Sequence, residues 1–116
     1  MIFNLNHKMR IFKYNKIWQK ILKDAGNCKD EKLFYGAFVS YDDTPRRGKM
    51  KSKIVKGETP HMFYRYFRQL LQIAEKQGKE YVFLTAWNEW GEGAYLEPDM
   101  DNSYSFLEAL KKAIVE

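Results

Sequence analysis

EYVFLTAWNEWGEGAYLEPD, residues Glu80 to Asp99, changes character in its middle. EYVFLTAW is dominated by aromatic, aliphatic and β-branched side chains without a helical repeat, which predicts a buried strand. From Asn88 onward the chain turns polar and glycine-bearing, with Glu89, Glu92 and Glu97 interleaved among Trp87, Trp90 and Tyr95. KLFYGAFVSYDDTPRRG, Lys32 to Gly48, has the same layout: an apolar run that empties into Asp, Thr, Pro and Gly, the composition of a turn.

Amphipathic helices are expected around these two strands. YNKIWQKILKDA, from Tyr14 to Ala25, places Ile17, Trp18, Ile21 and Leu22 on one face, and Gly26 predicts its end. Thr59-Pro60 is an N-cap followed by a residue suited to the first helical position. Beyond it Phe63, Phe67, Leu70, Leu71 and Ala74 recur at spacings of three and four until Gly78. A last helix carries Phe106, Leu107, Leu110 and Ile114, with Asn102 or Ser103 as its cap. The order helix, strand, helix, strand, helix implies an α/β fold with parallel strands joined by right-handed crossovers.

Two strands are too few for a parallel sheet, which needs cover on both faces. The 116 residues are therefore expected to form one partial domain, a consecutive slice of a larger α/β protein. A formal charge of +5 is concentrated in PRRGKMKSKIVKG, through Arg46, Arg47, Lys49, Lys51, Lys53 and Lys56. No nucleic-acid-binding signature accompanies it, so a solvated connection is expected and nucleic acid is not a predicted partner. The single cysteine, Cys28, excludes an internal disulfide. No apolar run approaches the roughly 18 residues of a membrane span, and no signal peptide is evident, so a cytoplasmic location is expected.

In parallel α/β folds ligands bind at the carboxyl ends of strands. The reactive side chains gather in the two loops that leave the predicted strands, whereas the opposite connections are plain lysine-rich turns. Glu89 and Glu92 form a carboxylate pair of the kind that acts on glycosidic bonds at separations of roughly 5 to 9.5 Å. Trp87 and Trp90 offer indole faces to a sugar ring and can raise the pKa of a neighbouring carboxyl group. Asn88, Tyr95 and Glu97 complete a candidate sugar-binding set. Asp42, Asp43 and Arg46 in the first loop suit sugar hydroxyls, a phosphate or a nucleotide-sugar; equally, the aspartates can cap the turn and pair with Arg46. Asp99-Met-Asp101 spells a short metal-binding pattern beside a helix start, too common to carry a metal assignment. No cofactor and no metal are predicted.

The motifs TAWNEWGEGAYLEPD and FYGAFVSYDDTPRRG resemble those of WbsX-type proteins. These are a glycoside hydrolase family 99-like group, often named as glycosyltransferases of lipopolysaccharide O-antigen or capsule synthesis. The similarity runs from about Tyr14 to the end. It implies a (β/α)₈ (TIM) barrel of which this chain supplies the C-terminal portion, with the missing N-terminal part as a partner. In the related endo-α-mannosidases, the matching motif makes Glu89 a base toward the sugar's own 2-hydroxyl and Glu92 the acid on the leaving oxygen. Gly91 stands where those enzymes usually have histidine. The resemblance thus implies a glycan or glycosyl-donor substrate. Hydrolase and transferase both remain open, as does a non-catalytic glycan-binding fragment. Alone, such a fragment is expected to be poorly soluble or molten, and inactive.

Overall fold

Trp18 shows how the apolar stripes of the helices are used. The computed structural model describes residues 10–48 and 51–115, and in it Trp18 is wholly buried, with Phe38 stacked on it at 5.7 Å and Tyr66 also at 5.7 Å. Its helix, α1 (Tyr14–Asn27), follows strand β1 (Arg10–Lys13) directly. Gly26 does not end α1: it lacks the left-handed conformation, and the helix stops when the Cys28 N–H turns back to the Ala25 carbonyl.

Strand β2 (Tyr35–Phe38) leads through β3 (Tyr41–Asp42) to a one-turn helix α2 (Thr44–Arg47), then to strand β4 (Lys53–Lys56). Helix α3 (Pro60–Lys76) begins as the sequence predicts, with the Thr59 hydroxyl accepting the Met62 N–H. It ends at Gly78, whose φ of +72° favours glycine. Strand β5 (Val82–Thr85) follows, then the hairpin β6 (Asn88–Glu89) and β7 (Ala94–Tyr95) around a 3₁₀ turn, Trp90–Glu92. Helix α4 (Ser105–Val115) closes the described chain. Its entry turn is anchored by Asp99, which accepts the Asn102 N–H at 2.6 Å, rather than by Asn102 or Ser103 as cap.

The parallel relationship expected of the two apolar strands is present. β2 and β5 pair in parallel from Tyr35 opposite Val82 to Phe38 opposite Thr85, with α3 between them in sequence. The fold is thus α/β with parallel strand pairs. Five further strands, β1, β3, β4, β6 and β7, were not legible in the sequence. KIVK, inside the basic connection, is β4; it pairs in parallel with β1 and antiparallel with β3. Two β-branched residues between lysines were enough, because β1 and β3 lie on either side of them. Lys49 and the first nine residues lie outside the described residues.

The core lies between the helices and the inner face of β2 and β5, with Tyr35, Ala37, Phe63, Phe67 and Leu70 buried. Here one expectation needs correction. Both strands read as buried on both sides, yet Gly36, Phe83 and Thr85 are exposed, Phe83 by 62%. Side chains alternate across a strand, and helices cover only one face of this pair. At the amino end of the pair, the Tyr35 hydroxyl and the Gln77 side-chain N–H both meet the Ala25 carbonyl, at 3.1 and 2.9 Å. These contacts tie α1, β2 and the end of α3 together, opposite the loops that carry the carboxylates.

Candidate active site

Two loops leave the carboxyl ends of β2 and β5, and they are docked on each other through glycine. Gly93 has φ +57°, and a β-carbon there would stand 2.8 Å from the Asp42 carbonyl oxygen and 2.9 Å from its nitrogen. Only glycine allows that backbone conformation together with that approach. The Ser40 hydroxyl donates to the Gly93 carbonyl at 2.5 Å, adding a second tie.

The first loop is held by its aspartates. Asp42 accepts the Thr44 N–H at 3.0 Å and its hydroxyl at 2.7 Å, a side-chain turn closure. Asp43 is 1% exposed; its Oδ1 accepts the Lys53 N–H at 2.7 Å. Its Oδ2 accepts the Tyr41 hydroxyl at 3.0 Å and meets Arg47 Nε at 3.2 Å. Asp43 therefore joins the loop to β4 from inside. Burial, with the hydrogen bond to Asp43, pushes the Tyr41 hydroxyl above its ordinary pKa.

Arg46 does not pair with either aspartate. Its Nη2 donates to Glu89 Oε1 at 2.8 Å, and its Nη1 lies 3.8 Å from Glu92 Oε2. The guanidinium thus spans both glutamates, which keeps those facing oxygens within roughly 9.5 Å, the outer limit for carboxyl pairs that act on glycosidic bonds. Gly91 lies beneath the guanidinium, where a β-carbon would be 2.7 Å from Nη2.

An aromatic wall stands beside the pair. Trp90 stacks on Tyr95 with ring centroids 3.7 Å apart, and its Nε1 donates to Glu97 at 3.1 Å. The Tyr95 hydroxyl donates to Asp99 at 2.8 Å. Burial first, then the bond to Asp99, pushes Tyr95 up to about 12. Burial would raise the Asp99 carboxyl, but the Asn102 N–H and the Tyr95 hydroxyl outweigh it and hold it below its usual range. Both donors belong to the protein, so Asp99 acts in a turn; among the described residues no cluster of three or more His, Cys, Asp or Glu is placed to hold a metal.

A polar cavity of about 360 Å³ is bordered by Trp90, Tyr95, Asp42, Glu58 and Phe106. Glu58 escaped the sequence reading because it sits in the basic stretch just before a helix cap. Burial raises its pKa, and its Oε2 is enclosed without a hydrogen-bond partner. Trp87 and Asn88 are exposed on the rim of the hairpin. A second cavity, about 470 Å³, runs along the apolar face of α4 and shares no residue with the carboxylate loops.

Fold and loops define an α/β domain whose polar chemistry gathers at one end of a parallel strand pair, and comparison identifies its group. The sequence model of the family described as Glycosyltransferase WbsX matches residues 2–110, and the chain belongs to that family. It is similar to the uncharacterized protein WxcX of two strains of Xanthomonas campestris pv. campestris, with 30% identity over 102 residues in each. The aligned region is 84% of this chain and 14% of each relative, so the chain spans a small part of the relatives' length. No solved structure matches the chain. No helix among the described residues is long and apolar enough to cross a membrane.

Proposed function

We propose that this chain is the C-terminal portion of a (β/α)₈-barrel domain that acts on glycosidic bonds in bacterial surface-polysaccharide metabolism. The observation that carries the reading is the glutamate pair itself: Glu89 and Glu92 share one guanidinium beside the Trp90–Tyr95 wall, at the carboxyl end of a parallel strand pair. Membership of a family described by glycosyl transfer supports a sugar substrate. The uncovered face of β2 and β5 supports a larger sheet, because parallel sheets are normally covered on both sides.

In this reading Glu89 takes the proton of the sugar's 2-hydroxyl as that oxygen attacks the anomeric carbon. Glu92 gives a proton to the departing glycosidic oxygen, so the old bond breaks as the new one forms. Water or an acceptor hydroxyl then opens the anhydro-sugar and restores the original configuration. Trp90 and Tyr95 pack on the sugar's C–H face, and the carboxylates of the neighbouring cavity take its hydroxyls.

The test is turnover of mannose-containing glycans by the full-length protein carrying this segment, alongside Glu89→Gln and Glu92→Gln. Loss of cleavage or transfer in both variants, with retained configuration in product NMR, is the expected result. Wild-type turnover in Glu92→Gln, or an inverted product, would exclude the assignment. Glycan binding without bond cleavage, unchanged by either variant, would make the loop a binding module.

A further inference from the structure

Arg46 and Arg47 are neighbours in sequence with different partners. Arg47 closes the short helix on Asp43, its Nε 3.2 Å from Oδ2, and this turn needs no second arginine. Arg46 crosses instead to the other loop. Its 2.8 Å contact with Glu89 is a charge-assisted hydrogen bond, whereas the 3.8 Å approach to Glu92 is an ion pair beyond hydrogen-bond reach. Position 91 matches this arrangement, since a β-carbon there would meet Nη2 at 2.7 Å, Nε at 3.1 Å and Cζ at 3.2 Å. The guanidinium fills the volume that a side chain at 91 would take.

We infer that Arg46 is the positioning residue of the glutamate pair, bracing Glu89 firmly and Glu92 loosely, with Gly91 as the opening that admits it. The inference rests on the glycosidic reading above and moves Arg46 from sugar contact to support. A planar guanidinium fixes the orientation of a carboxylate it hydrogen-bonds, which suits a base that must meet one particular hydroxyl. The looser contact leaves Glu92 able to turn toward a leaving oxygen. Lysine would keep the charge and lose the fork. Arg46, Glu89 and Glu92 side chains are 54%, 38% and 32% exposed, and ion pairs so exposed contribute little to stability. The bracing can therefore be removed without removing the fold.

The first measurement is made on this chain without substrate, with Phe83→Ser in every sample, wild type at the site included, because the exposed ring invites self-association. NMR of the arginine side chains should find rotation of the Arg46 guanidinium slowed in the wild type, released in Glu89→Gln and in Gly91→Ala, and largely retained in Glu92→Gln. Unhindered rotation in the wild type would overturn the bracing, as would release by Glu92→Gln alone. The second measurement is glycan turnover by the full-length protein. Arg46→Ala should lower kcat about 100-fold, the order expected when a reacting group is misplaced by an ångström, with KM nearly unchanged. Arg46→Lys should not restore it, whereas added guanidinium should restore part of the rate to Arg46→Ala. An unchanged kcat, or a raised KM at constant kcat, would overturn the positioning role. A braced guanidinium in a wild type that turns over no glycan would sink the glycosidic reading alone.

Discussion

Gly93 rests on the backbone of Asp42, 2.8 Å from its carbonyl oxygen at the point where a β-carbon would begin. The two loops that carry the candidate site are thereby held by main-chain packing, to which the Ser40 and Arg46 side chains add their own ties. Gly93→Ala should cost about 2 kcal/mol or more, from a left-handed backbone and a clash that cannot be relieved by rotation. Gly26→Ala is the control, because nothing lies within 4 Å of that position and it is helical. Alanine there should stabilise by roughly 0.5 kcal/mol. Urea unfolding midpoints of the two variants should move in opposite directions.

Asp43 predicts a second loss of stability. Its carboxylate accepts a backbone N–H and a tyrosine hydroxyl from inside the fold. Asp43→Ala deprives those part-buried donors of their acceptor, at about 1–3 kcal/mol in all. Asp43→Asn keeps one acceptor oxygen and should lose less. A denaturation series that ranks asparagine below alanine in stability would contradict this account of the loop.

The Tyr95–Asp99 bond ties stability to pH at both ends. Tyr95 is raised to about 12 in the folded chain from 10.0, so its contribution is complete below pH 10 and is lost as pH rises toward 12. Asp99 is lowered from 3.8, so its contribution is present above that value and disappears as pH falls through its folded value. Tyr95→Phe should flatten the alkaline limb relative to wild type, and Asp99→Asn the acid limb. The difference between wild-type and variant unfolding curves isolates this pair from Tyr41 and other raised tyrosines.

What the sequence disclosed and what it concealed divide along physical lines. Thr59-Pro60 and the apolar repeat after it were readable because capping and helical periodicity are local. The parallel pairing of the two apolar runs followed from the helix between them. KIVK was hidden because a four-residue strand has no pattern of its own until β1 and β3 flank it. In the site, spacing could not show that Arg46 pairs with glutamates 43 and 46 positions away rather than with the adjacent aspartates. The glycine at 91 carries the trace of that contact, since it has no φ that demands glycine.

Trp90 offers a direct optical readout of sugar binding. Trp18 is fully buried, while Trp87 and Trp90 are 52% and 44% exposed, so a ligand at the hairpin should perturb only the exposed indoles. If the Trp90–Tyr95 wall carries a sugar, glycan addition should shift the fluorescence, and Trp90→Ala should weaken binding about tenfold, the loss of one aromatic contact. Trp87→Ala should change the signal and leave the affinity nearly intact. Equal losses for both variants would place the sugar on the rim instead of on the wall.

The last prediction concerns the face of β2 and β5 turned away from the helices. Phe34, Tyr81 and Phe83 are 43%, 61% and 62% exposed, and Phe34 touches both other rings at ring-centroid distances near 6 Å. Three clustered aromatic rings beside a parallel strand pair form a patch of the sort that draws another protein surface or aggregates. If this face belongs to a larger barrel, the 116-residue chain alone should bind a hydrophobic dye and self-associate. Phe83→Ser should reduce both signals without lowering the unfolding midpoint, because the ring contributes little to the core it leaves. In the full-length protein the same substitution should be costly, by about 3 kcal/mol, since there the ring would be enclosed. A monomeric chain that leaves the dye dark would count against the barrel, as would a full-length protein indifferent to Phe83→Ser.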